Sequence, residues 1–189
     1  MTEVELGRQF SDSRIGSIVQ EGEEAMFFST SRGLLKYDGS TWERIGTPSP
    51  VLRVYHHKQS NRIFVGLKQG AVEVVLSDSG TYAVKPVAGI STKQPVTHII
   101  GSDEAIYFIG ENEMHRLIPD SKGAATYHEF PKKLISGAFL YLGDLHLLFY
   151  QEGLFLWADD NTLKSVGTYA QLADNQMLFT FTSLEGTYV

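Results

Sequence analysis

The apolar residues of this chain fall in short runs of four to six, rich in Phe, Tyr, Val, Ile and Leu and bounded by turn residues. Runs of that length and composition predict β-strands rather than helices. Ala25 to Ser29, Arg62 to Gly66, Ala105 to Ile109 and Leu145 to Tyr150 are examples. Tyr169 to Asn175 has room for one helical turn, and no stretch of ten or more residues carries a helical period.

The runs repeat. Those beginning at Met26, Ile63, Ile106 and Leu145 are 37, 43 and 39 residues apart. Each is followed by a polar break and a second run, and the second runs, counted from Leu34, Ala71, Met114 and Leu154, are 37, 43 and 40 apart. Turn clusters then follow: Asp38-Gly39-Ser40, Ser77-Asp78-Ser79-Gly80, Asp120-Ser121-Lys122-Gly123 and Asp159-Asp160-Asn161. These residue types tolerate left-handed backbone and bond their own main chain. A more polar outer strand comes next: Thr41 to Ile45, Thr81 to Pro86, Ala125 to Phe130 and Thr162 to Val166. Before each repeat an apolar run is available as an inner strand: Ile15 to Gln20, Leu52 to His57, Val96 to Gly101 and Ala138 to Leu142.

Four strands recurring about every forty residues is the period of a β-propeller blade. Such a sheet has two apolar faces and buries them by stacking on its neighbours around an axis. The predicted fold is therefore all-β, with blades of four antiparallel strands, four to five in number, forming part of a larger propeller. The blades lie near 15–46, 51–87, 95–131 and 137–168, with a fifth begun at 176–189, and the whole of 1–189 is one partial propeller domain. A β-sandwich of evenly spaced hairpins is the competing architecture. The recurring glycine before the second run, and the turn after it, favour blades.

Length and composition set the outer limits. The chain has 189 residues, 42% of them apolar, which suffices for a core. Its formal charge of −6, without a basic run, argues against nucleic-acid binding. It has no cysteine, which excludes disulfides and thiolate metal sites. Met1 to Phe10 has no apolar core of a signal peptide, and no segment approaches the roughly 20 apolar residues of a membrane span, so no direct membrane contact is expected.

The most specific stretch is Phe27-Phe28-Ser29-Thr30-Ser31-Arg32-Gly33-Leu34-Leu35-Lys36-Tyr37-Asp38-Gly39-Ser40-Thr41-Trp42. It resembles the two-component-regulator propeller repeat: an aromatic strand, then Thr-x-x-Gly-Leu, Tyr-Asp-Gly and Trp. Arg62-Ile63-Phe64-Val65-Gly66 looks like the following blade in bacterial regulators of the triple-tyrosine type, and Gly153-Leu154 keeps the Gly-Leu pair. The third repeat departs, with Asn112-Glu113-Met114 in that place, which leaves its turn geometry open. In proteins of this family the propeller is an extracytoplasmic sensor ahead of a further β-domain, a membrane helix and a kinase or DNA-binding output. The resemblance implies a non-catalytic, ligand-sensing segment with a periplasmic address, the cytoplasm being the alternative. Its expected partners are the neighbouring domains of a longer regulator chain. No output activity is assigned to these residues.

Candidate chemistry is sparse. His56 and His57 are adjacent, so on a strand they point to opposite faces and do not share a metal. His98, His115, His128 and His146 stand singly in different repeats, and no zinc-type spacing occurs. The turn aspartates have a sufficient structural cause in capping. Tyr37 and Trp42 read first as packing residues. No catalytic residue, metal ligand or cofactor is predicted. The breaks between second and third strands present Arg32, Lys68, Gln69, Asn112 and Gln151 on one face of a propeller, suited to a small polar ligand such as a saccharide. A protein-interaction scaffold is the alternative function, and a propeller lyase or glycosidase, with two carboxylates brought together from different blades, is the third.

Overall fold

A computed structural model of the chain describes residues 13–23, 25–90, 93–119, 123–158 and 160–166, and the backbone of 181–183 and 186–188. It contains four four-stranded antiparallel sheets, each formed from consecutive strands in chain order. The first blade is β1 (Ile15–Glu21), β2 (Ala25–Thr30), β3 (Gly33–Tyr37) and β4 (Trp42–Ile45). The second is β5 (Val51–His57), β6 (Arg62–Leu67), β7 (Ala71–Leu76) and β8 (Tyr82–Pro86). The third is β9 (His98–Gly101), β10 (Ile106–Ile109), β11 (Glu113–Leu117) and β12 (Thr126–Glu129). The fourth is β13 (Ile135–Tyr141), β14 (Asp144–Phe149), β15 (Gly153–Trp157) and β16 (Leu163–Ser165). A further pair, β17 (Phe181–Ser183) and β18 (Gly186–Tyr188), forms a two-stranded sheet.

The sheets radiate. β5 packs on β1 and β2, β9 on β5 and β6, and β13 on β9, so the first strands of successive sheets converge. This is blade stacking, as the repeat demands, and not two layered sheets. The alternation along each middle strand divides its side chains between two neighbours. Phe27 and Leu34 join Val54, Ile63 and Val65 in the core between blades one and two. Phe64 turns the other way and joins Ile99, Ile106 and Phe108 between blades two and three. Met114 and Phe130 meet Leu145, Leu147 and Phe149 between blades three and four.

Three of the four first strands carry a register shift near their start, at Ile15/Ser17, Val51/Arg53 and Ile135/Gly137. A bulge at the same place sharpens the twist where the chain turns into the crowded axis. It also moves one boundary: β13 begins at Ile135, three residues before the Ala138 expected, because Ile135 reaches past the irregularity to pair with Phe149. The third blade differs in the opposite sense. Its first strand begins at His98 rather than Val96, because Val96 N donates to Leu67 O (2.9 Å) and Pro95 bridges to Gly70, both in the second blade.

The turn left open by the third repeat is now defined. Gly110 N donates to Glu113 O at 2.9 Å, and Ile109 pairs with Met114. No residue of this turn adopts positive φ, whereas Gly33 stands at +120° in the first blade. Asp38 caps its turn as expected: its Oδ1 accepts from Ser40 N (2.9 Å) and Thr41 N (2.7 Å). The Thr41 hydroxyl, which donates to Oδ2 at 2.7 Å, leads these bonds in holding the carboxyl well below the usual range. Asp160 is likewise lowered, first by the Thr162 hydroxyl at 2.6 Å. Trp42 packs on Tyr37 (ring centroids 4.7 Å) and Phe28 (5.0 Å), the packing role foreseen. Asp120, Asp159, the stretch from Tyr169 to Asn175 and most of the begun fifth repeat lie outside the described residues.

Candidate functional site

The turns between second and third strands and the connections entering each first strand lie on one face, laced by main-chain bonds. Ser31 N donates to Arg14 O (2.9 Å), Lys68 N to Pro50 O (2.8 Å), and Tyr150 N to Leu134 O (2.8 Å). This lacing presents Arg32, Lys68, Gln69 and Gln151 as exposed side chains, with Asn112 half-buried and its carbonyl accepting from Phe130 N at 2.8 Å. The five share the face but occupy four separate turns. None of them lines the three clefts described below.

On the same face, near the axis, Arg53 joins three blades. Its Nε donates to Thr97 O and its Nη1 to Gly16 O, both at 3.3 Å, from the start of β5 to the starts of its two neighbours. His98 stands beside it, with Nδ1 3.0 Å from the Thr97 hydroxyl. Burial, and then the Arg53 charge, push His98 below the ordinary imidazole range.

The opposite face carries the hairpins between first and second strands, and the clefts open there and at the outer edge. One, of about 700 Å³, lies between blades one and two and is lined by Val19, Gln20, Tyr55, His56, Lys58 and Asn61. His56 Nδ1–H donates across it to Gln20 O at 2.7 Å. A second, about 260 Å³, lies between blades three and four. Ser102, Glu104 and Tyr107 come from the third blade's inner hairpin, Arg116 from β11, Asp144 from the fourth blade's inner hairpin, and Trp157 and Asn161 from the end of β15 and its turn. A third, about 470 Å³, follows the outer edge between Tyr127, His128, Lys133 and Trp157.

The two adjacent histidines part company as the strand geometry requires. His57 is 3% exposed and ties two blades together, its Nε2–H donating to Ser102 O at 2.9 Å while Nδ1 accepts from the Ser60 hydroxyl at 2.6 Å. His56 faces the first cleft. Among the described residues no group of three His, Asp or Glu gathers to hold a metal ion, and no helix is long and apolar enough to cross a membrane.

Arg53, Arg116 and Trp157 are the polar and aromatic features that sequence reading passed over, and His98 was read only as a histidine standing singly on its strand. For Arg53 the available signal was a lone cation in an apolar inner strand. For Arg116 it was a cation at an inward position of β11, two residues beyond Met114.

No family model matches the sequence, and no curated protein matches it. Solved structures do resemble it. The chain superposes with TM-score 0.72 and 19% identity on a structure described as the extracellular domain of a one-component system, BT4673, from B. thetaiotaomicron, covering 98% of this chain and 26% of that one. With BT3049, described as the extracellular domain of a hybrid two-component system from the same organism, the TM-score is 0.71 and the identity 18%, over 96% and 28% of the two chains. Virginiamycin B lyase from Staphylococcus aureus is a weaker match, with TM-score 0.59, 14% identity and 81% and 55% coverage. The chain thus spans about a quarter of the length of the regulator domains it matches. The fold is that of β-propeller blades, and the first two neighbours are described as extracellular domains of a one-component and a hybrid two-component system.

Proposed function

We propose that this chain is the ligand-sensing propeller segment of a larger extracytoplasmic domain in a bacterial two-component-type or membrane-linked transcriptional regulator, and that it is not catalytic. The observation that carries the reading is the superposition on the extracellular domains of BT4673 and BT3049 over nearly the whole chain. The letters of the first blade support it independently.

Sensing by such a segment requires that a ligand change how blades sit on one another. Arg53, Tyr55 and His57 suit that role, because each bonds from the second blade into its neighbours. A ligand touching two blades would bias their packing and pass strain to neighbouring domains. The five polar residues on the laced face, Arg32, Lys68, Gln69, Asn112 and Gln151, are proposed contacts for a small polar ligand such as a saccharide, and the address proposed is periplasmic.

Thermal unfolding in the presence of a panel of oligosaccharides and other small polar compounds tests this. At least one member is expected to raise the melting temperature in a saturable way. Stable capture of a protein partner with no small-molecule effect would favour a scaffold instead. Turnover of a polysaccharide, abolished by replacing one pair of aspartates, would favour an enzyme.

A further inference from the structure

Arginines that serve the fold of this protein are spent on bonds. Arg62 donates to both oxygens of Glu73 and to Pro119 O, and Arg53 donates to two carbonyls. Arg116 is different. It is half-buried in the wall between blades three and four, yet its guanidinium makes no hydrogen bond or ion pair with a described residue. Two carboxylates, Glu104 and Asp144, stand at the same cleft without engaging it. A partly desolvated guanidinium with its donors unmet is unfavourable unless water or a ligand supplies acceptors in the plane of its fork.

The rest of the cleft is chemically consistent with one kind of occupant. Trp157 and Tyr107 are half-buried aromatic rings, and Ser102, Asp144 and Asn161 are polar groups at the rim. Asn161 is held in left-handed backbone (φ 59°) by its N–H bond to Ala158 O at 2.9 Å, which fixes where its amide stands. At about 260 Å³ the space suits one or two small rings rather than a long chain.

We propose that the cleft between the third and fourth blades binds a hydroxylated ligand bearing a carboxylate, with Arg116 pairing the carboxylate in bidentate fashion. Trp157 offers its face to the apolar side of the ring, and Asp144, Asn161 and Ser102 bond its hydroxyls. The site bridges two blades, so it also supplies the kind of contact that a sensing segment needs. The inference deepens the sensing reading and rests on it, by naming a site and a ligand class.

The experiment uses galacturonate and glucuronate as probes, with galactose and glucose as neutral controls, titrated into the full chain at millimolar concentration. His128 supplies the local readout by NMR. Its ring lies 4.8 Å from Trp157, and burial, followed by the Arg116 charge, keeps its imidazole below the ordinary range. Pairing of Arg116 with a carboxylate should raise the His128 midpoint, and the neutral sugars should not. Arg116→Gln should weaken uronate binding tenfold or more, with the fold intact because the guanidinium makes no bond to the described structure, and Arg116→Lys should retain part of it. Neutral sugars binding as well as uronates, or uronate binding unchanged in Arg116→Gln, would overturn the site while leaving sensing by some other ligand standing. Silence of all four sugars here would also overturn it, and the wider compound panel then decides the sensing reading separately.

Discussion

Arg62 and Glu73 grip each other on neighbouring strands of the second blade, Nε donating to Oε1 at 2.9 Å and Nη2 to Oε2 at 2.8 Å. Arg62 Nη1 also reaches Pro119 O on the third blade at 2.7 Å, so an intrablade ion pair orients an interblade bond. Burial alone would raise the Glu73 carboxyl, but the bonds and charge of Arg62, with Lys85 at 3.3 Å, outweigh it and the net shift is downward.

Replacing Glu73 with Gln should therefore cost about 2 kcal/mol in urea unfolding. This is below the range for fully buried pairs because Arg62 keeps 27% of its side chain exposed. The carboxyl is more acidic folded than unfolded. Its contribution is thus complete above the unfolded value near 4.3 and is lost as pH falls through the folded value. The stability gap between wild type and Glu73→Gln should be constant from pH 6 to 8 and narrow below about pH 4. A gap that widens in acid would contradict the pairing.

Gly66, in the second strand of the second blade, sits where a methyl group would lie 2.5 Å from Val96 O and 3.1 Å from Val96 Cγ1. Val96 is itself held by its bond to Leu67 O, so it has little room to give. Gly66→Ala is expected to destabilise by about 2–3 kcal/mol, the upper part of the range for overpacking. Gly46→Ala, with nothing within 4 Å and ordinary φ, is expected to change stability by less than about 0.5 kcal/mol. Equal melting temperatures for the two variants would show that blades two and three do not approach at this point.

Much of this architecture was legible because a blade must repeat its own pattern. The alternation that sends Phe27 one way and Phe28 the other is written directly in the letters, and so is the Asp38 turn. Strand boundaries near the axis were less legible, because Pro95 and Val96 serve the neighbouring blade before the chain enters its own sheet. The clefts were least legible. Arg116 and Asp144 belong to different repeats, and only the stacking of blades sets them at one cleft. Polar residues in turns such as Arg32, Lys68 and Gln151, by contrast, stand out in a sequence directly, because turn composition alone marks them as exposed.

Phe64 and Phe108 meet edge to face across the interface of blades two and three, with ring centroids 5.4 Å apart and both fully buried. Truncating Phe64 to Ala should cost about 3–5 kcal/mol. The pair itself is isolated by a cycle of Phe64→Leu, Phe108→Leu and the double variant, with a coupling of about 0.5–1.5 kcal/mol expected. Strict additivity would mean that the two rings do not touch, and would count against stacked blades.

His98 tests the axial clasp. Burial, and secondly the Arg53 charge, disfavour its imidazolium, so its NMR midpoint should lie below the ordinary value of about 6.5. Arg53→Met removes the charge and both bridging bonds, to Gly16 O and Thr97 O, while keeping much of the side-chain bulk. The His98 midpoint should then rise without reaching 6.5, because burial, the larger cause, persists. Between the folded and unfolded midpoints the unfolded chain holds the extra proton, so this histidine lowers stability progressively as pH falls below about 6.5. That acid loss should be shallower in Arg53→Met, even though the variant is less stable at neutral pH. A His98 midpoint unmoved by the substitution would place Arg53 away from the axis and remove the clasp that joins the first three blades.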